Sequence, residues 1–182
     1  MGRNIRVTIE YDGTRYAGWQ IQDREATIQG VLQDAIARVT GESVSVTGAG
    51  RTDAGVHGLG QVANFAIEHQ LDAGRFADAL NFHLPDDIRV IDSTEVGAEF
   101  NARFDAVWRR YRYLMSNRRS ALYRSRRWEH HYQVDAGKLR EVASLVSGEH
   151  DFTPFCVVAS RKEDNRCTIQ HSQWRQIGEL WV

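Results

Sequence analysis

"GAGRTDAGVHGLGQVANFAI", residues 48–67, decides the fold through what lies on either side of its glycines. Its second part, QVANFAI (61–67), has the β-branched and aromatic residues of a strand. SVSVT (43–47), just before the stretch, reads the same way. The glycine-rich segment therefore joins two strands. P-loops and dinucleotide fingerprints instead join a strand to a helix whose N-terminus receives phosphate, and no GK[ST] follows here. Five glycines (48, 50, 55, 58 and 60) surround Arg51 and Asp53, the only charged residues of 48–62. That composition suits a surface turn. It equally suits a loop that lets another molecule's backbone come close while offering it one carboxylate.

Outward from this loop the elements alternate. IRVTIEY (5–11) reads as a strand, followed by a loop, DGTRYAGWQIQDREA. A helix opens at Thr27 as N-cap: Ile28, Val31, Leu32, Ala35, Ile36 and Val39 form one face, and Gly41 ends it. Residues 72–83 predict a second helix closed by Pro85, and IRVIDSTEV (88–96) another strand. The order is β-α-β-β-α-β, the split βαβ arrangement of a ferredoxin-like unit. The pattern then restarts with VWRRYRYLMSN (107–117) as a strand and a helix from Asp135 as N-cap to Gly148 as stop. CTIQHSQW (167–174) and GELWV (178–182) follow as strands. The expected class is α+β, with a ferredoxin-like half over 1–100 and a second, incomplete half over 101–182. The chain stops on Leu180, Trp181 and Val182, one helix and one strand short of the pattern, so a longer protein is expected.

Composition bounds the function. The 182 residues are 42% hydrophobic, with five Trp, six Tyr and seven Phe, enough for a core. No apolar run approaches bilayer length, and MGRNIRV lacks the apolar core of a signal peptide. Cys156 and Cys167 make neither a disulfide framework nor a zinc site. A cytoplasmic protein with reduced thiols, no metal and no membrane association is expected. The formal net charge of -1 hides a division. Residues 1–102 carry eight arginines against fifteen acids, whereas 103–127 alone holds nine arginines and one acid, Asp105. A solvated face mixes signs. Like charges interleaved with Trp108, Tyr111, Tyr113 and Tyr123 suit a polyanion with bases to stack on, which points to nucleic acid.

Within the loop, His57 has no Cys or second His at ligand spacing, so a hydrogen-bonded structural role is expected. Arg51 and Asp53, two apart in an extended segment, project to one side and can meet. A neighbouring guanidinium favours the ionised carboxylate. Such a carboxylate can act as nucleophile or base; a salt bridge on a turn needs nothing further.

GRTDAGVHGLGQV (50–62) resembles the signature of the TruA-type tRNA pseudouridine synthases. The resemblance extends through EYDGTRYAGWQ (10–20), TIQGVLQDAI (27–36), FNARFDAVWRRYRY (100–113) and GEHDFTPF (148–155), in order and over essentially the whole chain. It implies that Asp53 is the catalytic nucleophile, that Arg51 pairs with it, and that Tyr111 lies against the target uracil. It also implies two ferredoxin-like halves sharing a mainly antiparallel sheet with helices on one face, with a basic cleft between them. The protein would be a homodimer acting on tRNA without cofactor, converting uridine to pseudouridine in the anticodon stem-loop.

That chemistry suits the residue types. The reaction breaks the N-glycosidic bond of uridine and rejoins the ring through carbon. A carboxylate near the ribose can attack C1′, assist loss of a ribose proton to give a glycal, or add to C6 of the ring. The detached uracil must turn in place, which calls for a stacking surface and little water. Tyr111 can stack and offer a hydroxyl for proton transfer. The target base must leave its helical stack, which suits small glycines near the nucleophile and an arginine field on the RNA backbone. Arg103, Arg109, Arg110 and Arg112 are the candidates for phosphate contact, although on a strand Arg110 and Arg112 would face away from Tyr111. Asp12, Gly13, Gly18, Trp19 and Gln20 are expected to shape the cleft wall without taking part in the chemistry. A catalytically inactive RNA-binding relative or fragment of the same fold is the alternative.

Overall fold

The computed structural model describes residues 2–158 and 163–182. The chain divides into two compact units, Met1–Arg110 and Tyr111–Val182. In the first, β1 (Arg3–Tyr11), α1 (Ile28–Thr40), β2 (Thr47–Gly48), β3 (Gly58–Ile67), α2 (Phe76–His83) and β4 (Ile88–Val96) follow in chain order. Short 3-10 turns at Gly13–Arg15 and Ala73–Arg75 precede the two helices. The strands form one sheet in the order β2-β3-β1-β4, every neighbouring pair antiparallel.

Alternation in β1 sets which way the sheet faces. Ile5, Val7, Ile9 and Tyr11 are buried and join Ile28, Leu32 and Ile36 of α1 and Phe76 and Leu80 of α2 in one core. Phe65, opposite Ile5 on β3, meets Phe76 edge to face with ring centroids 5.8 Å apart. Each such side chain contributes roughly 1.5–3 kcal/mol by leaving water. The intervening residues look the other way, and the segment after β4 covers two of them. Asn4 donates to the carbonyls of Gly97 and Phe100, while Asn64 donates to Asn4 and accepts from the Ala102 amide.

Helix α1 begins and ends as its sequence predicts. The Thr27 hydroxyl accepts from the Gly30 amide, and Gly41 closes the helix at φ 76°. The strand expected over 43–47 shrinks to Thr47–Gly48. Its Val46 amide donates to Gln33 and its carbonyl accepts from Gln29, so two helix side chains take the place of a ladder.

The second unit holds β5 (Met115–Ser116), β6 (Trp128–Glu129), α3 (Ala136–Leu145), β7 (Gly148–Asp151), β8 (Arg166–Ile169), β9 (Gln176–Ile177) and β10 (Leu180–Trp181). One sheet runs β6-β5-β10-β9 with β5 and β6 parallel; β7 and β8 pair antiparallel in another. Asp135 caps α3 as expected, accepting from the amides of Gly137 and Lys138. The helix stops at Leu145, and Gly148, expected as its stop, opens β7 at φ 104°. Of the strand expected over 107–117, Met115–Ser116 remains. Among the described residues, 107–114 belong to no strand ladder, although Leu114 O accepts from the Trp128 amide at 2.7 Å, and Tyr111 and Tyr113 are exposed; alternation without a partner ladder does not make a strand. The 167–174 strand is likewise confined to Arg166–Ile169, where β7 pairs with it. The architecture is α+β. Among the described residues no helix is long and apolar enough to cross a membrane.

Candidate active site

Residues 49–57 link β2 to β3, and their main chain is fastened almost residue by residue. The Ala49 amide donates to Val62 O at 2.8 Å, and its carbonyl accepts from Arg109. Gly50 O accepts from the Gln61 side-chain amide at 2.5 Å. Thr52 O accepts from the Trp19 amide at 2.9 Å, and the Thr52 hydroxyl bonds the Tyr11 hydroxyl at 2.9 Å. The Val56 amide closes a turn onto Asp53 O, and the Gly55 amide reaches Tyr16 O. His57 takes the expected structural part: its Nδ1 accepts from the Gly13 amide at 3.2 Å and stands 3.1 Å from the Asp12 carboxylate.

Besides Val62, Gln61 and Arg109, the partners of this loop come from 11–19, the segment expected to shape a wall. Trp19 and Tyr11 are buried, with ring centroids 6.3 Å apart. Gly48 and Gly58 lie against these rings: a Cβ at either position would collide with the Trp19 or Tyr11 ring. Those two glycines serve internal packing, whereas a Cβ at Gly55 or Gly60 would meet nothing within 4 Å. Gly18 has φ 102°, and a side chain there would run into Thr52 O.

The 11–19 segment is itself anchored to the turn before β4. The Asp12 amide donates to Asp87 O at 2.8 Å. Tyr16 OH donates to Asp87 Oδ1 at 2.7 Å, and Arg15 donates to Asp87 Oδ2. Burial, with the hydrogen bond to Asp87 second, pushes the Tyr16 phenol up to about 12. Burial also acts upward on the Asp87 carboxyl. The hydrogen bonds from Tyr16 and Arg15 and the guanidinium charge outweigh it, leaving the group below its usual range.

Against this fixed main chain, Arg51 and Asp53 are exposed side chains. They belong to one loop, yet no ion pair joins them among the described residues, contrary to the pairing expected from their spacing. An exposed pair gains only about 0–1 kcal/mol, too little to hold two side chains together. Arg103, Arg109 and Arg110 are exposed in the first unit; Arg112 and Tyr111 are exposed in the second. Arg103 lies over the Phe104 ring and Arg110 over the Trp108 ring, at 5.6 and 5.4 Å. Gln61, Tyr11, Tyr16 and Asp87 were not among the expected site residues. Position just outside the glycine-rich loop was the available signal for Gln61, and membership of EYDGTRYAGWQ for Tyr11 and Tyr16; Asp87 left none. Such a loop can present a carboxylate to an incoming sugar or base without reorganising its backbone.

A family model described as tRNA pseudouridine synthase matches residues 7–105, spanning the loop and its bed. The chain belongs to the tRNA pseudouridine synthase family. It is 45% identical to tRNA pseudouridine synthase A of Caldicellulosiruptor saccharolyticus over 156 residues, 85% of this chain and 64% of that protein. The protein of the same name from Ruminiclostridium cellulolyticum is 45% identical over 187 residues, 93% of this chain and 76% of the relative. That of Rhodopseudomonas palustris is 49% identical over 153 residues, 82% and 62%. The chain thus spans about two thirds of the length of these curated relatives.

Proposed function

We propose that this chain carries the catalytic loop of an isomerase that converts uridine to pseudouridine in the anticodon stem-loop of tRNA, with Asp53 as nucleophile. The observation that carries the reading is the loop itself. Asp53 stands exposed on a main chain held from both sides, in a family named for this reaction. Arg51, exposed two residues away, closes on the Asp53 carboxylate once RNA excludes water and strengthens the attraction. Tyr111 stacks on the uracil while it turns, and Arg103, Arg110 and Arg112 meet phosphates. The strand order β2-β3-β1-β4 supports taking the first unit as a ferredoxin-like half. A second such half, beginning near residue 101, belongs to the same reading; the expected common sheet is not formed among the described residues, where the strands of the second unit make sheets of their own. So do a homodimer, cytoplasmic action and the lack of a cofactor.

The test is pseudouridine formation on unmodified tRNA. The wild type should convert uridine, and Asp53→Asn should lose turnover while holding tRNA within a few-fold of wild-type affinity, since phosphate contacts supply the binding. Residual turnover within about tenfold of wild type would remove Asp53 as nucleophile. Arg51→Ala should lose most of the activity, and Arg51→Lys should keep part of it. A wild type that binds tRNA without converting it would favour the inactive RNA-binding relative.

A further inference from the structure

Arg109 differs from its neighbours in what its guanidinium touches. Nε donates to Ala49 O at 2.9 Å, Nη2 donates to the same carbonyl, and Nη2 also reaches Arg103 O at 3.1 Å. Gly50 lies close beneath: a Cβ there would stand 3.4 Å from Nε. The far end of this clamp is anchored too, because Ala102, next to Arg103, donates its amide to Asn64 on β3. Ala49 and Gly50 thus have successive carbonyls held by two side chains, Arg109 and Gln61, immediately before Arg51. A guanidinium whose Nε–Nη2 edge is committed to main-chain carbonyls cannot offer that edge as a two-pronged grip on phosphate. Among the described residues Arg110 has no such commitment; it lies over Trp108.

We propose that Arg109 is a positioning residue. It fixes the main chain at Ala49–Gly50, and so the place from which Arg51 and Asp53 project, and it contributes no phosphate contact. The catalytic consequence rests on the reading of Asp53 as nucleophile; the clamp does not.

Three measurements on this chain separate a clamp from a phosphate ligand, using Arg109→Gln and Arg109→Lys. In hydrogen exchange without RNA, amides of 49–55 should exchange about tenfold faster in both variants, because neither can fork onto Ala49 O and Arg103 O. Amides of β1 should be unchanged, which shows that the variants are folded. The slope of log tRNA affinity against log salt should stay at the wild-type value in both. Turnover should fall by about 10- to 100-fold with KM little altered, and Lys should not rescue it. Unchanged exchange at 49–55, with a slope lowered by about 0.7–0.9 in Arg109→Gln and restored in Arg109→Lys, would make Arg109 a phosphate ligand and overturn the proposal. A wild type without turnover would count against the proposed function, while the exchange and salt results would still decide the clamp.

Discussion

Nineteen hydrophobic side chains of the first unit, from Ile5 to Val90, form one buried cluster. In the second unit, Met115, Ala143 and Trp181 are the buried hydrophobics among the described residues. Leu122, Tyr132, Leu145 and Phe155 are instead exposed there. Both units contain capped helices and paired strands, so local signals are not what separates them. The difference is coverage: in the first, two helices lie on one face of a four-stranded sheet; in the second, short strands and one α-helix enclose little among the described residues. The 49–57 loop grows from the unit with the core, and its fastenings reach the ends of β1 and β3 directly. A loop needing a fixed main chain is better placed on such a scaffold than on one with few buried contacts.

The sharpest way to break this comparison is to truncate one leucine in each unit. Leu32 is fully buried on α1, whereas Leu145 is 66% exposed at the end of α3. Leu32→Ala should cost about 2–5 kcal/mol in denaturant unfolding. Leu145→Ala should stay within about 0.5 kcal/mol of wild type. Similar losses at both sites would mean that the second unit has a core as consequential as the first.

A smaller effect is expected at Asp87, which ties the bed of the loop to the turn before β4. Its side chain is 16% exposed and accepts from Tyr16 and Arg15. Asp87→Asn should cost roughly 1.5–3 kcal/mol through the weakened bond from Tyr16. Because the folded carboxyl lies below its ordinary range, its stabilisation is complete above about pH 4 and is lost as pH falls through the folded value. The wild type should therefore lose stability in acid more steeply than Asp87→Asn. Tyr16 acts at the other extreme. Its folded value near 12 favours the neutral phenol, a contribution present below about pH 10 and lost on the way up to 12. Identical acid limbs in a pH series of melts would detach Asp87 from the loop's support.

How much was legible follows the same division. Thr27, the 3.6-residue apolar stripe and Gly41 announce α1 because caps and periodicity are local. β3 starts at Gly58, inside the glycine motif, where no side-chain pattern could mark it. VWRRYRYLMSN imitates a strand through alternation, but the partner that would make it one is a long-range matter. At the site, Arg51 and Asp53 were legible as the only charges among glycines, and their exposure suits a reacting group. Their expected ion pair was not found, because spacing permits a contact without fixing two exposed side chains. Arg109 was legible as charge and not as a clamp, since a hydrogen bond spanning sixty residues to a carbonyl leaves no periodic trace.

The smallest expected effect separates the arginines of the second unit from one another. Arg127 has a side chain only 9% exposed; it pairs with Glu129, donates to Arg118 O and lies over the Tyr123 ring. Arg118 is paired with Glu179 at 2.9 Å. Arg112 is exposed, and no hydrogen bond or ion pair is made by its side chain among the described residues. If the 103–127 segment holds RNA, phosphate contact should therefore be uneven along it. Arg112→Gln should lower the slope of log affinity against log salt by about 0.7–0.9, the signature of one lost phosphate contact. Arg127→Gln should leave that slope intact while lowering the melting temperature, because what it loses is packing and internal hydrogen bonds. The measurement is tRNA affinity over a salt series, with melts on the same two variants. Equal slope changes at both positions would mean that the segment acts as undifferentiated charge, and that the pairings of Arg127 open to admit RNA.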